Sequence, residues 1–472
     1  MRYYQLIIIC ISFIHFSCKK ENNNARLQNN ITDDPTIFQD QYGRQLILHG
    51  LNTGEKNPAA DPWIQESDVD REDKEFGFNF VRYLILWDGI EPQKDVYDET
   101  YLDRIEQRVN WYTSRGMYVM LDMHQDIYSS VFGGDGAPAW AVHTNGHPIN
   151  TTNNYGAWFL KNLDPAVIAA LGNFWNYTTY KELQDHYILA WEKVVERFKN
   201  NPYVIGYDLM NEPYGGDPIK ALGDFEKTTL KKFYDKIIPE LRAIEPNKYL
   251  FFEPQSLFIN FGVTSNLPKI NDTRSVQHLG YAPHFYPFFV EAVTGPYNAS
   301  AKQNTKDCFN SRTKEMQRQN CPMIIGETGL SPSTVGFDNY LDDMMNYLDS
   351  MQAGISYWFN GHGGGWSPLN ADGTESPIMP HLVRTYPKAT AGKIKSFKFD
   401  VVIKKFSMTF VPNAAITQPT EIFVPNRFYP NGWNLNVIGT INYTQAYDNT
   451  RQILKFSTTE NNKEITIEIT AK

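Results

Sequence analysis

The sequence predicts an α/β protein: a (β/α)8 barrel followed by a small antiparallel β-sandwich. Three observations carry that prediction. Eight short apolar runs lie between residues 45 and 361, most of them separated by helix-length segments. Nearly every run ends in polar or aromatic residues. After about residue 388 the helical spacing stops and short alternating runs take over. Eight parallel strands with crossovers in about 350 residues suit a closed barrel with insertions. An open doubly wound sheet would carry a Gly-rich phosphate loop after its first strand, and none is found.

The first run is QLILHGLN (45–52) and the second FNFVRYLIL (78–86). DETYLDRIEQRVNWYTSRG (98–116) then sets Leu102, Ile105, Val109 and Tyr112 at helical spacing and stops at Gly116. MYVMLDMH (117–124) is the third strand. A helix marked by Leu183, Tyr187, Ala190, Val194 and Phe198 ends at Asn201-Pro202, and YVIGYDLMNEP (203–213) follows. YLFFEP (249–254), SVQHLGYAPHFY (275–286), MIIGETG (323–329) and GISYWFNG (354–361) complete the eight. Beyond them KSFKFDVVI, FSMTF, EIFV, WNLNV, ILKF and ITIEI supply the sandwich. Ile465, Ile467 and Ile469 alternate with polar neighbours, as a strand buried on one face requires. The expected domains are a barrel over 35–386 and a structural or accessory sandwich over 387–472.

The chain has 472 residues, enough for two domains and a large core. Lys and Arg total 44 against 53 Asp and Glu, a formal net charge of −9 with no basic run, which argues against nucleic-acid binding. Aromatics make up 14%. They suit stacking on sugar rings and packing a large core equally well.

At the N-terminus, LIIICISFI (6–14) is too short to span a bilayer, which needs about 20 residues. With Arg2 before it, the segment reads as a secretory signal over 1–17. Cys18, followed by a polar Asn-rich linker (18–34), resembles the lipidation site of a bacterial lipoprotein, although His15 and Phe16 replace the usual small or aliphatic residues. The expectation is an exported protein anchored to a membrane through Cys18, either periplasmic or at the cell surface. A plain cleaved signal and secretion is the alternative. Cys308 and Cys321, 13 apart in the exported part, form a possible disulfide. No CxxC or His cluster accompanies them, so no metal is expected.

In a barrel, chemistry sits at the C-terminal ends of the strands. Read in order, those ends carry Asn52 with Lys56, Arg82, Asp122 with His124, Asn211 with Glu212, Glu253, His284 with Tyr286, Glu327 and Trp358. Any one of these suits a structural role. A ring of them does not suit solvated surface. Glu212 in NEP and Glu327 in GETG end two strands in similar settings, and glycoside cleavage needs two such carboxylates. One protonates the leaving oxygen; the other attacks the anomeric carbon or activates water. Arg82 is a candidate cation for Glu327 and the Tyr286 hydroxyl a candidate donor. Asn211 offers an amide to a sugar hydroxyl, and Trp358 a flat face. Glu253 reads as supporting or structural, and Asp126 as either a ligand or a loop cap.

DLMNEP with GETG downstream resembles glycoside hydrolase family 5, a retaining group on the (β/α)8 barrel. HGLNTGEKNP, LDMHQDIYSSVFGGDGAPAWAV, YAPHFYP and YWFNG resemble the endoglycoceramidase segments of that family, over roughly residues 40–385. The resemblance implies Glu212 as acid/base and Glu327 as nucleophile. It implies sugar contacts from Lys56, Asp122, His124, Asn211, Tyr286 and Trp358, with Arg82 and His284 in support. It implies a glycosphingolipid substrate, cut between glycan and ceramide, and no cofactor. The aromatic segment 125–180 (Phe132, Trp140, Trp158, Phe159, Phe174, Trp175) and SLFINFGV (256–263) are candidates for an apolar groove, with simple packing of an insertion as the alternative. Other readings are a family 5 enzyme acting on glucosylceramide, steryl glucosides or β-glucan, and a surface glycan-binding protein without catalysis. Oligomeric state is not legible.

Overall fold

The computed structural model describes residues 33–152, 158–219, 223–291 and 294–472. The expected signal, Cys18 and nearly all of the linker lie outside these residues, as do the side chains of Trp158 and Phe159.

Two short strands open the fold, β1 (Phe38–Gln39) and β2 (Gln45–Leu46). The barrel strands follow: β3 (His49–Thr53), β4 (Phe80–Leu86), β5 (Tyr118–His124), β6 (Val204–Asp208), β7 (Tyr249–Phe252), β8 (Leu279–Tyr281), β9 (Ile324–Thr328) and β10 (Gly354–Tyr357). All eight pair in parallel in the order β8-β7-β6-β5-β4-β3-β10-β9, and a parallel bridge between Tyr281 and Met323 joins the two ends. The sheet thus closes on itself, as the eight runs predict. The run QLILHGLN serves two sheets: its first residues form β2 outside the barrel, and only His49 onward joins it.

Alternation along the strands divides the barrel interior into two layers. Leu48, Phe80, Met120, Ile205, Phe251 and Ile324 fill the end where the strands begin. Phe38 caps that end, its ring 5.2 Å from Tyr249 and 5.5 Å from Phe251. Two residues further along, the same faces carry Arg82, Asp122 and Glu253, with His124 beyond Asp122. An apolar plug therefore closes one end and leaves the other for polar groups.

The C-terminal strands are β11 (Tyr386–Thr390), β12 (Gly392–Asp400), β13 (Lys405–Pro412), β14 (Thr420–Phe423), β15 (Trp433–Ile438), β16 (Tyr443–Asp448), β17 (Ile453–Thr458) and β18 (Ile465–Ala471). They make two antiparallel sheets, β1-β2-β11-β14-β17-β16 and β12-β13-β18-β15. The strand through KSFKFDVVI starts earlier, at Gly392, and stops at Asp400 rather than Ile403. Asp400 Oδ1 accepts the amides of Val402 (3.1 Å) and Ile403 (3.2 Å), which turns the chain after Asp400.

The possible disulfide does not form: Cys308 and Cys321 are both buried and free. Cys308 lies within the helix Ala299–Gln319, about three turns before its end. That is roughly 16 Å of axial rise, against the about 7 Å limit between bridged Cα atoms. No described helix is long and apolar enough to cross a membrane.

Candidate active site

A single buried guanidinium organises the open end of the barrel. Arg82 Nε donates to Asp208 Oδ2 (2.9 Å), and Nη1 to Glu327 Oε1 (2.7 Å) and Asn52 Oδ1 (3.1 Å). Nη2 donates to Asn211 Oδ1 (2.8 Å) and Glu253 Oε1 (3.0 Å) and lies 2.9 Å from Asp122 Oδ1. Five barrel strands or strand ends meet at this one side chain. Burial opposes its charge, but the surrounding carboxylates hold its pKa well above the ordinary value. The planar fork lets one cation orient several carboxylates, which a lysine cannot do.

Glu327 comes from β9 and points at that cation. Its Oε2 accepts the Tyr286 hydroxyl at 2.9 Å, and His284 Nδ1 lies 3.6 Å away. Burial alone would raise its pKa. His284, Arg82, His124 and Lys56 together outweigh burial and hold the carboxyl below its usual range. Glu212 is in the opposite state. Burial and the nearby negative charges of Glu327 and Asp126 raise its pKa, although His284 works against them. Its Oε1 accepts Asn260 Nδ2 (2.6 Å) and His284 Nδ1 (2.9 Å).

Glu212 stands just past β6 at φ 46°, a left-handed conformation that non-glycine residues seldom adopt. Two bonds hold it there. Its N–H donates to Glu253 Oε2 (3.0 Å), and its carbonyl accepts Gln125 Nε2 (3.0 Å). Glu253 thus supports both Arg82 and the Glu212 backbone. A carboxylate oxygen of Glu212 and one of Glu327 lie within 4.8 Å of each other.

Asp122 Oδ2 sits 2.7 Å from His124 Nδ1. Both Asp122 oxygens face cationic partners in a fully buried setting, so Asp122 orients His124 and Arg82 and does not face the open mouth. Burial disfavours the charged imidazole, but Asp122 and Asp126 outweigh it and push His124 up to about 10. Trp358 follows β10, stacked on His124 (5.6 Å, 8° between planes), with Lys56 Nζ 4.7 Å above its ring. Lys56 also pairs with Asp126 and lies 3.9 Å from Asp135. Asn211 gives its Oδ1 to Arg82, and one Nδ2 proton to the Gln125 carbonyl (3.0 Å). Its second amide proton remains for a ligand.

The structure therefore gathers Glu212, Glu327, Arg82, His124, Asn211, His284, Tyr286, Lys56 and Trp358 at one mouth, with Asp122 sealed beneath His124. It adds Asp208, Asn260, Gln125 and Asp135, which sequence reading does not single out, and it gives Asp126 and Glu253 definite partners. Asn260 has no strand-end signal, because it lies inside the apolar stretch SLFINFGV. Among the groove candidates, Phe132 and Phe174 are buried, and Trp140 packs edge-on against Trp87 (5.5 Å). Phe174 and Trp175 also line a small apolar cavity beside His124 and Gln125, with Tyr128, Leu171 and Tyr214.

Three described groups bring metal-ligating atoms together: Glu91, Asp95 and His186; His124, Asp126 and Asp135; Glu212, His284 and Glu327. In each, the histidine is already bonded to a carboxylate. In the latter two, Lys56 and Arg82 already supply positive charge. The cluster can hold one protonated and one ionised carboxyl side by side, the requirement for acid-assisted displacement at an acetal carbon.

Comparison with known proteins agrees with this chemistry. The cellulase (glycosyl hydrolase family 5) domain matches residues 39–364, and the glycoside hydrolase family 5 C-terminal domain matches residues 384–469. Endoglycoceramidase I of Rhodococcus hoagii (strain 103S) is 32% identical over 425 residues, 86% of this chain and 82% of that protein. The structure of endo-glycoceramidase II from Rhodococcus sp. in complex with ganglioside GM3 superposes with a TM-score of 0.85 at 34% identity, covering 93% of this chain and all of that one. Its lactosyl-enzyme intermediate gives 0.84 at 35% identity over the same shares. From the closed barrel, the paired carboxylates and these matches, the chain is a glycosidase and belongs to glycoside hydrolase family 5, as an endoglycoceramidase-like member.

Proposed function

We propose that the protein is a retaining endoglycoceramidase, hydrolysing the β-glucosidic bond between the glycan and the ceramide of glycosphingolipids. The observation that carries the mechanism is the Glu212–Glu327 pair: oxygens within 4.8 Å, in opposite electrostatic settings. Oxygens this close suit the short carboxyl separation of retaining enzymes, about 5–5.5 Å, better than the about 6.5–9.5 Å that leaves room for a water in inverting ones. Ionised Glu327, held by Arg82 and Tyr286, attacks the anomeric carbon. Protonated Glu212 gives its proton to the departing ceramide oxygen, and the glycosyl ester on Glu327 forms as that bond breaks. Water then enters, loses a proton to Glu212, and releases the glycan with its anomeric configuration kept.

The remaining side chains bind and orient. Trp358 offers a face to the sugar ring, with Lys56 fixed above it. The second amide proton of Asn211 would donate to the hydroxyl beside the reacting carbon. His284 bridges the two carboxylates. The ceramide is expected past Glu212, where the loop carrying Asn260 also bears Phe258 and Phe261. The substrate class follows the relatives named above. The alternatives, a glucosylceramide, steryl glucoside or β-glucan hydrolase, gain no support from the site.

We further propose that the chain is exported and tethered through an acylated Cys18, a reading supported by the N-terminal sequence. Incubation with a panel of glycosphingolipids and mass analysis of both products tests the substrate reading. Intact oligosaccharide plus ceramide should appear, and Glu327→Gln should lower the rate by about a thousandfold or more. Cleavage restricted to single-glucose lipids, or of soluble glucan alone, overturns it.

A further inference from the structure

The β12–β13 hairpin ends in Asp400-Val401-Val402-Ile403-Lys404, an unusual tip. Val402 is 84% exposed, Ile403 65% and Val401 39%. The turn does not need them, because the Asp400 carboxylate closes it through two backbone amides. Val402 and Ile403 are thus held largely in solvent, with Val401 partly covered beside them. Exposed Lys398 and Lys404 flank them on a molecule that is acidic as a whole, and Lys405 beyond is paired with Glu468 (2.6 Å).

The direction of the tip follows from its contacts. β12 climbs the helix Phe337–Met351 from its C-terminal end. Gln352 Nε2 donates to the Lys395 carbonyl (3.1 Å), and Phe399 N–H to Asp349 Oδ2 (3.4 Å). Val401 and Val402 then share a cavity wall with Asn346 and Asp342. This helix follows β9, so its N-terminal end lies on the side where Glu327 opens to the mouth. The tip therefore points the same way as the active site. On that side the loops after β6, β7 and β9 also expose apolar residues: Ile219, Phe258, Val263 and Val335.

We propose that the 400–404 tip, together with this apolar rim, docks the enzyme on a lipid surface carrying anionic headgroups, with the mouth turned toward the membrane. The valines and isoleucine would enter the headgroup boundary while the lysines meet the phosphates. The inference rests on the glycolipid reading above but uses different residues.

The register of the second sandwich sheet supplies an internal control. Lys405 pairs with Thr470 at the tip end, whereas Ile438 pairs with Thr466 at the other. Ile441, 92% exposed beyond Ile438, therefore faces away from the mouth. The test uses the full chain with Cys18→Ser throughout, so that no acyl anchor contributes, and phosphatidylcholine vesicles with about 30% phosphatidylserine. Val402→Asp with Ile403→Asp should reduce co-sedimentation about tenfold, and hydrolysis of vesicle-borne substrate with it. Hydrolysis of a soluble aryl lactoside should be unchanged, which certifies the fold. Ile441→Asp should sediment as wild type. The proposal is overturned if the double variant sediments as wild type, or if Ile441→Asp loses as much. It is also overturned if the double substitution abolishes self-association of the chain and vesicles are never bound. Vesicle binding that depends on the tip, in a protein that cleaves no glycolipid, would instead sink the glycolipid reading and leave the docking surface standing.

Discussion

Glu212 and Glu327 begin with the same chemistry, a carboxyl of pKa about 4.3, and their neighbours pull them apart. Glu327 must be ionised to attack, so activity is lost as pH falls through its lowered pKa. Glu212 must be protonated, so activity is lost as pH rises through its raised one. The profile of kcat/KM should be a bell, its acid limb set by Glu327 and its alkaline limb by Glu212. Tyr286→Phe tests that assignment. The hydroxyl bonds the ionised form of Glu327 at 2.9 Å, so removing it raises that pKa. The acid limb should move to higher pH and the alkaline limb stay. A hydrogen bond to a charged group is worth about 1.5–3 kcal/mol, so kcat/KM should fall about 10- to 100-fold. Movement of the alkaline limb alone would assign Tyr286 to Glu212 instead. Much of this site is legible in the sequence, because the barrel forces functional side chains to strand ends, where apolar runs break into NEP, GETG and DMH. What escapes is held by tertiary contact. Asn260 reaches Glu212 from 48 residues away, inside a run that reads as apolar loop. Asp122 looks like a ligand by position but is sealed under His124 by Arg82.

At the scale of elements, the eight barrel strands are legible because each lies in or beside a mostly apolar run, and all are buried on both faces. β1, β2 and β11 are not. They are two to five residues long, and their partners range from a turn neighbour, through β14 for β11 (Tyr386 with Phe423), to some 340 positions away, as with Leu46 and Ala389. No local pattern announces such a pairing. β1 nevertheless has a structural task that periodicity cannot show: it carries Phe38 against Tyr249 and Phe251 beneath the barrel. Phe38→Ala would open a cavity in that plug at a cost of about 3–5 kcal/mol. Urea unfolding should show this loss, while kcat on a soluble substrate stays at the wild-type value, since the plug lies a full layer below Arg82. A loss under about 1 kcal/mol would mean that the plug closes over the gap or contributes little.

At the scale of the whole molecule, the sequence suggests two consecutive domains, and the structure interleaves them. Residues 38–46 leave the barrel side to pair with the C-terminal sheet before the first barrel strand begins. Asp73, from a helix packed on the barrel, is chelated by Arg451 of the sandwich through both oxygens, with Lys388 Nζ 3.9 Å away. Gly77, at φ 70°, lies so close under the Phe423 ring that a Cβ there would come within 2.3 Å of it. Each contact joins the two parts: Asp73 would lose its two cations, and apolar surface at Gly77, Phe423 and Tyr386 would face water. Removing 388–472 should therefore unfold the barrel rather than release it. In the intact chain the two parts should unfold together. Tryptophan fluorescence reports the barrel, because every tryptophan except Trp433 lies there. Pulse proteolysis of sandwich peptides reports the other part. Across a urea series the two midpoints should coincide; a sandwich that is cleaved while the fluorescence is still native would show that it is a separable appendage.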